Sequence, residues 1–207
     1  MVLIELQYLP SLEFFCSILK EDAIQLEAHE HFVKQSYRNR CYILGANGPL
    51  MLNIPVHKGR SKTLIRDLQV DNRQNWQAIH WKSIASAYGN APFFEFFSPE
   101  FKKVFEKQEK YLWDFNERLL TLCLRCISLD HLKISHSTTF LKQTETGLKD
   151  LRSTIHPKKP FEDNSFYTPV PYIQVFGKKF VPNLSIIDLI FCQGPDARRI
   201  LNESDVS

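Results

Sequence analysis

The start of the chain alternates between two hydrophobic patterns, and this alternation restricts the fold more than any other feature of the sequence. The stretch "VLIELQ" (2–7) has the composition of a strand, and Pro10 and Ser11 begin a helix that runs to about Lys20. The stretch "AIQLEAH" (23–29) predicts a second strand. A strand, a helix and a strand so close together are typical of a βαβ unit, in which the two strands are parallel. The sequence therefore predicts an α/β fold that opens with a βαβ unit.

The remainder of the chain continues to mix strand and helix signals. Asn47-Gly48 lies between two apolar runs and predicts a hairpin, because a tight turn needs positive φ angles that Asn and Gly tolerate. Residues 137–171 are polar and contain prolines, which indicates an irregular connection. We expect further strands at 63–70, 131–135 and 172–176, and helices at 71–89, 99–108, 110–128 and 184–194. Residues 1–207 are thus predicted to form a single α/β domain with a mixed or mostly parallel sheet and flanking helices.

The bulk composition excludes several classes of protein. The 207 residues are 43% hydrophobic and 13% aromatic, which suits one domain with a substantial core. The net charge of +3 is too small for a typical nucleic-acid binder, so we expect no nucleic acid as a partner. The apolar N-terminus lacks a basic region, and no later stretch reaches about 18 uninterrupted apolar residues. We therefore expect neither a signal peptide nor a membrane span.

The cysteines indicate the compartment of the protein, and the absent motifs bear on its cofactor. The five cysteines have no paired spacing, which is typical of free thiols in a reducing compartment. We therefore expect a cytoplasmic protein. No P-loop, no dinucleotide-binding glycine motif and no nucleophile elbow occurs, so the cofactor is unknown. A homo-oligomer is left open.

The stretch "HEHFVKQSYRNRC" (29–41) concentrates polar and basic side chains directly after the second predicted strand. Ligands of open α/β sheets bind beyond the carboxyl ends of strands, so this position favours a ligand site. If the chain is extended here, Lys34, Arg38 and Arg40 share a face, and two guanidinium groups can bind a phosphate or carboxylate through paired hydrogen bonds. The alternative is a solvated strand edge. Between His31 and Arg66 no acidic residue occurs, and the basic residues are Lys34, Arg38, Arg40, Lys58, Arg60, Lys62 and Arg66.

A rival interpretation of the same stretch treats His29 and His31 as metal ligands, since residues two apart on a strand share a face. No HExxH or other strong ligand spacing accompanies them, and the remaining histidines are scattered along the chain. We therefore predict no metal site.

Two further groups of residues have both a functional and a structural interpretation. Trp76 and His80 lie one helical turn apart, and His80 is either a general base or a buried histidine bonded to a backbone carbonyl. Ser185 and Asp188 have the spacing of a capping box at the start of the last predicted helix, with Asn183 as an alternative cap. The free N–H groups of such a helix start also attract anions.

Four stretches together resemble the WbqC-like protein family, in the order that the family has them and over most of the chain. They are "YLPSLEFF" (8–15), "KQSYRNRCYI" (34–43), "NWQAIHWKSIASAYGNAPFFEFF" (75–97) and "FVPNLSIIDLIFCQGPDA" (180–197). The chain looks most like the short members common in Bacteroidetes-type bacteria. The resemblance implies a role in O-antigen or other surface-polysaccharide biosynthesis, with transfer of a glycyl or similar acyl group onto a sugar amine as the suggested reaction. The residues to which it points are Tyr8, Pro10, Arg38, Asn39, Arg40, Trp76, His80, Tyr88, Asn183, Ser185 and Asp188.

Two motifs of the longer family members are missing from this chain. Those members begin with a His-Gln-Pro run, where this chain has Ile4-Glu5-Leu6, and they carry a Tyr-Leu-Ser-Gly segment that the polar residues 137–171 replace. The role of a base therefore passes to Glu5 or His80 in our interpretation.

Together these observations predict a transferase whose donor is an activated, phosphate-bearing small molecule, a sugar nucleotide or an acyl adenylate. In this hypothesis Arg38 and Arg40 hold the phosphates, His80 or Glu5 is the base, and Asp188 orients a partner. The alternative is a non-catalytic scaffold protein that binds an anion or a nucleotide. The other predicted substrate-binding residues are Tyr8, Lys34, Tyr37, Asn39, Trp76, Asn183 and Ser185.

Overall fold

The structure, a computed structural model, describes residues 1–57, 63–141 and 147–206. Three of the basic residues noted above, Lys58, Arg60 and Lys62, lie outside the described residues. The strands in chain order are β1 (Val2–Ile4), β2 (Ala23–Leu26), β3 (Arg40–Gly45), β4 (Gly48–Asn53), β5 (Lys133–His136) and β6 (Lys149–Asp150). The α-helices are α1 (Leu12–Ile18), α2 (Trp76–Tyr88), α3 (Phe94–Glu106), α4 (Leu112–Cys126), α5 (Ile186–Gln193) and α6 (Ala197–Ser204).

Four of the strands form a parallel sheet in the order β5-β2-β1-β6. Val2 lies opposite Ile24, and Leu26 lies opposite His136. The opening strand, helix and strand thus form the predicted βαβ unit, and the α/β class with a mostly parallel sheet is confirmed. Because all four strands run in the same direction, their carboxyl ends meet at one edge of the sheet.

The centre of the protein is apolar on both sides of β1. All three residues of this strand are inaccessible to solvent, and α1 is buried along its whole length. Helix α5 is buried in the same way, and Phe191 on it contacts the rings of Tyr88, Phe94 and Phe101 at centroid distances of 5.1–5.4 Å. Burial of one side chain of this size contributes about 1.5–3 kcal/mol to stability. In the described ranges no helix is both long and apolar enough to cross a membrane.

Strands β3 and β4 form a separate antiparallel hairpin, as the Asn-Gly pair predicts. The turn closes at Gly48, whose φ of 106° favours glycine. Hydrogen bonds attach the hairpin to the helices, and two of them come from backbone N–H groups. The N–H of Ser185 donates to the carbonyl of Tyr42 at 2.8 Å, and the N–H of Leu44 donates to the hydroxyl of Tyr88 at 3.1 Å.

Three predicted elements differ in the structure. Residues 63–70 are not a strand, because the chain turns through a 3₁₀ segment at Ile65–Asp67 and keeps only isolated bridges to its neighbours. Residues 172–176 are irregular rather than a strand. The connection 137–171 is not wholly irregular, since β6 lies within it and pairs with β1. A strand of two polar residues has no hydrophobic alternation by which it could be predicted.

Candidate functional site

The carboxyl edge of the parallel sheet brings together polar side chains that follow all four strands. Glu5 follows β1, Glu27 follows β2, Ser137 follows β5 and Arg152 follows β6. Both carboxylates are completely buried, and Ser137 is nearly so. Ligands of open α/β sheets bind at this edge. The topology therefore makes the sheet edge the candidate site.

A pocket of about 510 Å³ opens at this edge, a volume that suits a small-molecule ligand. One of its wall residues, Ser153, has a φ of 58°, which lies in the left-handed region and is strained for a serine. Backbone strain of this kind is frequent at functional sites. The pocket is lined by His29, Glu30, His31, Val33, Phe140, Asp150, Arg152 and Ser153.

The side chain of Arg38 binds carboxylates of the protein, whereas the sequence predicted that it binds a ligand phosphate. Its Nε and Nη2 donate to Oε1 and Oε2 of Glu30, each at 2.6 Å, and its Nη1 lies 3.9 Å from Oε1 of Glu5. The arginine side chain is only 1% exposed. The two-point contact that we predicted for a ligand phosphate is therefore made with a carboxylate of the protein itself. Burial raises the pKa of Glu30, and the hydrogen bonds from Arg38 oppose that rise.

Glu27 is the centre of a second network of hydrogen bonds. Its Oε1 accepts from the hydroxyl of Ser137 at 2.6 Å and from the N–H of His29 at 2.9 Å. Its Oε2 accepts from Nη1 of Arg152 at 2.8 Å. The same guanidinium donates to Asp150 at 2.7 Å and lowers the pKa of that carboxyl group. Arg152, like Arg38, is thus held by two carboxylates.

Both oxygens of Glu5, one of the two predicted bases, also accept hydrogen bonds. Oε1 accepts from Nε2 of Gln7 at 3.1 Å, and Oε2 accepts from the N–H of Ser153 at 2.8 Å. The second bond ties the end of β1 to the loop after β6. The role of Glu5 as a base stays a prediction, and in this structure the carboxylate connects two strand ends.

His80, the other predicted base, lies in a separate and buried place. Its Nδ1 is 2.9 Å from the hydroxyl of Tyr8, and the rings of Trp76 and Phe115 pack around the pair. Burial lowers the pKa of His80 to about 4, although a hydrogen bond with the backbone of Asn53 opposes the shift. His80 is thus a buried histidine bonded to the backbone, and it does not line the pocket at the sheet edge.

The family-like stretches from both ends of the chain meet near the start of α5. The N–H of Tyr8 donates to the carbonyl of Tyr37 at 2.9 Å, and the N–H of Ile186 donates to the carbonyl of Pro10 at 2.8 Å. These stretches therefore meet in the structure. The contact consists of backbone hydrogen bonds between buried segments, and none of these four residues lines the pocket at the sheet edge.

Ser185 and Asp188 do not form the capping box that their spacing predicts. The Ser185 hydroxyl is buried without a hydrogen-bond partner at the start of α5. Oδ2 of Asp188 instead accepts from the hydroxyl of Tyr172 at 2.6 Å and from Nε2 of Gln174 at 2.9 Å. Burial raises the pKa of Asp188, and these two hydrogen bonds oppose the rise. Asp188 therefore anchors the irregular segment 172–176 to α5.

The remaining predicted residues lie in several different environments. Nδ2 of Asn183 donates to Oε2 of the buried Glu13 at 3.0 Å, and Nδ2 of Asn39 donates to the backbone directly after β4 at 2.9 Å. Lys34 is exposed, and Arg40 is half-buried with no hydrogen bond at its Nε. The ligand-binding roles of these residues stay predictions.

Sequence reasoning missed four residues of the sheet edge: Glu27, Ser137, Arg152 and Ser153. Glu27 lies at the end of the second predicted strand and Ser137 lies just after another, so the strand-end rule applied to residues 29–41 would have found both. Arg152 and Ser153 follow β6, which has no hydrophobic pattern, and no signal in the sequence marks them.

Comparisons with known proteins assign the chain to a family. Among the residues that the structure describes, no group of three or more His, Cys, Asp or Glu side chains is arranged to hold a metal ion. Comparison with curated proteins and with solved structures gave no match. The sequence model of the WbqC-like protein family matches residues 7–159 and 160–200, which include most of the sheet-edge residues described above. The chain therefore belongs to the WbqC-like protein family.

Proposed function

We propose that this protein is a transferase of bacterial surface-polysaccharide biosynthesis, of the O-antigen type, which moves a glycyl, similar acyl or sugar group from a phosphate-bearing donor. The observation that carries the proposal is the pocket of about 510 Å³ at the carboxyl edge of the sheet, which is lined by polar residues at the ends of β2 and β6. The polysaccharide context rests on the family resemblance. The five free cysteines support a reducing compartment, and we place the reaction in the cytoplasm.

The charges of the sheet edge favour an acceptor with amine or hydroxyl groups. Glu30 and Asp150 line the pocket with two carboxylates, whereas Glu5 and Glu27 are completely buried and do not line it. Carboxylates accept hydrogen bonds from such groups, and they attract a protonated amine. The acceptor in this proposal is therefore an amino sugar or another hydroxyl-bearing amine.

Arg66 is the guanidinium best placed to contact the donor phosphate. Its side chain is 52% exposed, and its nearest carboxylate, on Asp67, is 3.9 Å away. Nη1 lies 3.1 Å from Nε2 of His29, which lines the pocket. Arg66 lines a second cavity of about 520 Å³, and an exposed guanidinium there can bind a phosphate through two hydrogen bonds at little cost in lost partners. Arg66 replaces Arg38 in this role, and Arg40 stays a predicted second contact.

A binding screen tests the proposal in its first step. We expect sugar nucleotides or acyl adenylates to raise the melting temperature in a concentration-dependent way, because a ligand that binds only the folded state stabilises it. The variant R66A should bind the same donor more weakly, whereas R199A, which changes an exposed arginine on α6, should bind it normally. Mass spectrometry of mixtures with amino-sugar acceptors then detects the transferred group. A protein that binds none of these donors is not this transferase.

A non-catalytic scaffold that binds an anion or a nucleotide is the second candidate function. One observation favours it: the guanidinium groups of Arg38 and Arg152 and both oxygens of Glu5 are already occupied by partners within the protein. Stabilisation by a donor without any product in the mass-spectrometric assay would select this function over the transferase.

A further inference from the structure

His29 stands between the two sides of the sheet edge and is not used by any role described so far. It follows β2, is half-buried and lines the pocket. Its Nδ1 lies 3.4 Å from the hydroxyl of Ser137, and its Nε2 lies 3.1 Å from Nη1 of Arg66. Both ring nitrogens therefore have a polar neighbour, Ser137 from the loop after β5 and Arg66 from the 3₁₀ segment Ile65–Asp67.

The chemistry of these neighbours decides which ring nitrogen carries the proton. A guanidinium group can only donate, so Nε2 of His29 must accept and has no hydrogen in the neutral ring. Nδ1 then carries the hydrogen and donates to the oxygen of Ser137. The hydroxyl of Ser137 in turn donates to Oε1 of Glu27 at 2.6 Å. The hydrogen bonds thus run in one direction, from Arg66 through His29 and Ser137 to the buried carboxylate of Glu27.

This arrangement leaves Nε2 of His29 as the ring atom with an available lone pair. Glu27 is completely buried, and its hydrogen bond with Ser137 fixes the hydroxyl that accepts from Nδ1. In the usual activating base a carboxylate orients the imidazole directly, and here the hydroxyl of Ser137 stands between Glu27 and the ring. Arg66 opposes protonation while it is near Nε2, but its exposed side chain is free to move toward a bound phosphate.

We propose that His29 is the general base of the pocket, that its basic atom is Nε2, and that Ser137 and Glu27 are positioning residues. The proposal rests on the transferase function proposed above. The acceptor nitrogen or oxygen forms a bond to the transferred carbon of the donor as its proton passes to Nε2. The bond between that carbon and the donor phosphate oxygen breaks, and its electron pair leaves with the phosphate. Ser137, held by Glu27, keeps the ring in this orientation throughout the step.

The first test of this assignment needs no substrate. In the intact protein with ¹⁵N-labelled histidine, the nitrogen chemical shifts of neutral His29 should show hydrogen on Nδ1 and a lone pair on Nε2. The variant S137A removes the acceptor of the Nδ1 hydrogen and should mix the two tautomers, whereas S137T keeps the hydroxyl and should restore the single one. A ring that carries its hydrogen on Nε2 in the unmodified protein would overturn the assignment.

The second test measures transfer with the donor and acceptor found in the screen above. H29Q should lower kcat by about 10²-fold or more, the usual contribution of a general base, while donor binding by thermal shift stays normal. S137A should lower kcat with little change in KM, and S137T should recover most of it. H131Q, at an exposed histidine, is the matched control and should transfer normally. Transfer by H29Q at the normal rate refutes His29 as the base but not the transferase, whereas no transfer by the unmodified protein refutes both.

Discussion

Arg38 and Glu30 form a two-point ion pair at the sheet edge, with both nitrogen–oxygen distances at 2.6 Å and both side chains almost fully buried. Removal of one partner of a buried pair leaves an uncompensated charge, which costs about 3–5 kcal/mol. We expect R38M to lower the free energy of unfolding by this amount in urea denaturation followed by circular dichroism.

The double variant of the same pair provides the control. Replacing Arg38 and Glu30 together by methionine removes both charges, and the double variant should be more stable than R38M alone. A loss of less than 1 kcal/mol in R38M would mean that water or another partner compensates the carboxylate of Glu30.

His80 should remain neutral through the physiological range. Its pKa of about 4 in the folded protein lies below its usual value of 6.5 because the ring is buried. The unfolded chain therefore binds a proton more readily, so the stability contributed by neutral His80 is present above pH 6.5 and is lost as the pH falls toward 4. The loss amounts to at most about 3 kcal/mol.

The comparison of the protein with H80Q measures this effect, because the glutamine does not titrate. The difference in the free energy of unfolding between the two proteins should shrink as the pH falls from 7 to 4. Proton NMR of the ring should show no titration above pH 5. A midpoint near 6.5 in either experiment would contradict the prediction that His80 is neutral through the physiological range.

The contribution of Asp188 to stability should depend on pH in the opposite direction from that of His80. Burial raises the pKa of its carboxyl group above the usual 3.8, so the folded protein holds the proton more tightly than the unfolded chain does. The charged form then costs stability as the pH rises above about 4. We expect D188N, which keeps the shape and the acceptor for Tyr172, to gain stability relative to the unmodified protein between pH 4 and pH 7. Thermal unfolding across this range measures the difference, and equal curves for both proteins would contradict the prediction.

Gly194, at the end of α5, adopts a left-handed backbone conformation and lies so close to Phe93 that a side chain has no space. Its φ is 53°, and a Cβ atom placed on it would lie 2.4 Å from Cδ1 of Phe93. G194A should therefore lower the free energy of unfolding by about 1–3 kcal/mol through overpacking. G48A is the control, since Gly48 also has positive φ but has no atom within 4 Å of such a Cβ. A loss in G194A no larger than that in G48A would show that the ring of Phe93 moves aside.

The secondary-structure predictions that the structure confirms depend on residue patterns within a short stretch of chain. The apolar residues of 2–7 and 23–29 predicted two strands, and Asn47-Gly48 predicted the hairpin, because strands and tight turns are specified by neighbouring residues. Residues 63–70 also alternate, but tertiary contacts turn them into a 3₁₀ segment with isolated bridges. Local pattern therefore predicted β1, β2, β5 and the hairpin, but not the conformation of residues 63–70 or the strand β6.

The sequence alone determined the α/β class, the parallel opening strands and the edge of the sheet at which polar residues collect, since each follows from hydrophobic period and chain direction. Only the tertiary structure decided which charges meet. Arg38 is paired with Glu30 rather than exposed to a ligand, and Glu27 is joined to Ser137, which lies far along the chain. The reason is physical: the pairing of buried charges depends on distances between remote segments, and those distances exist only after the sheet has formed.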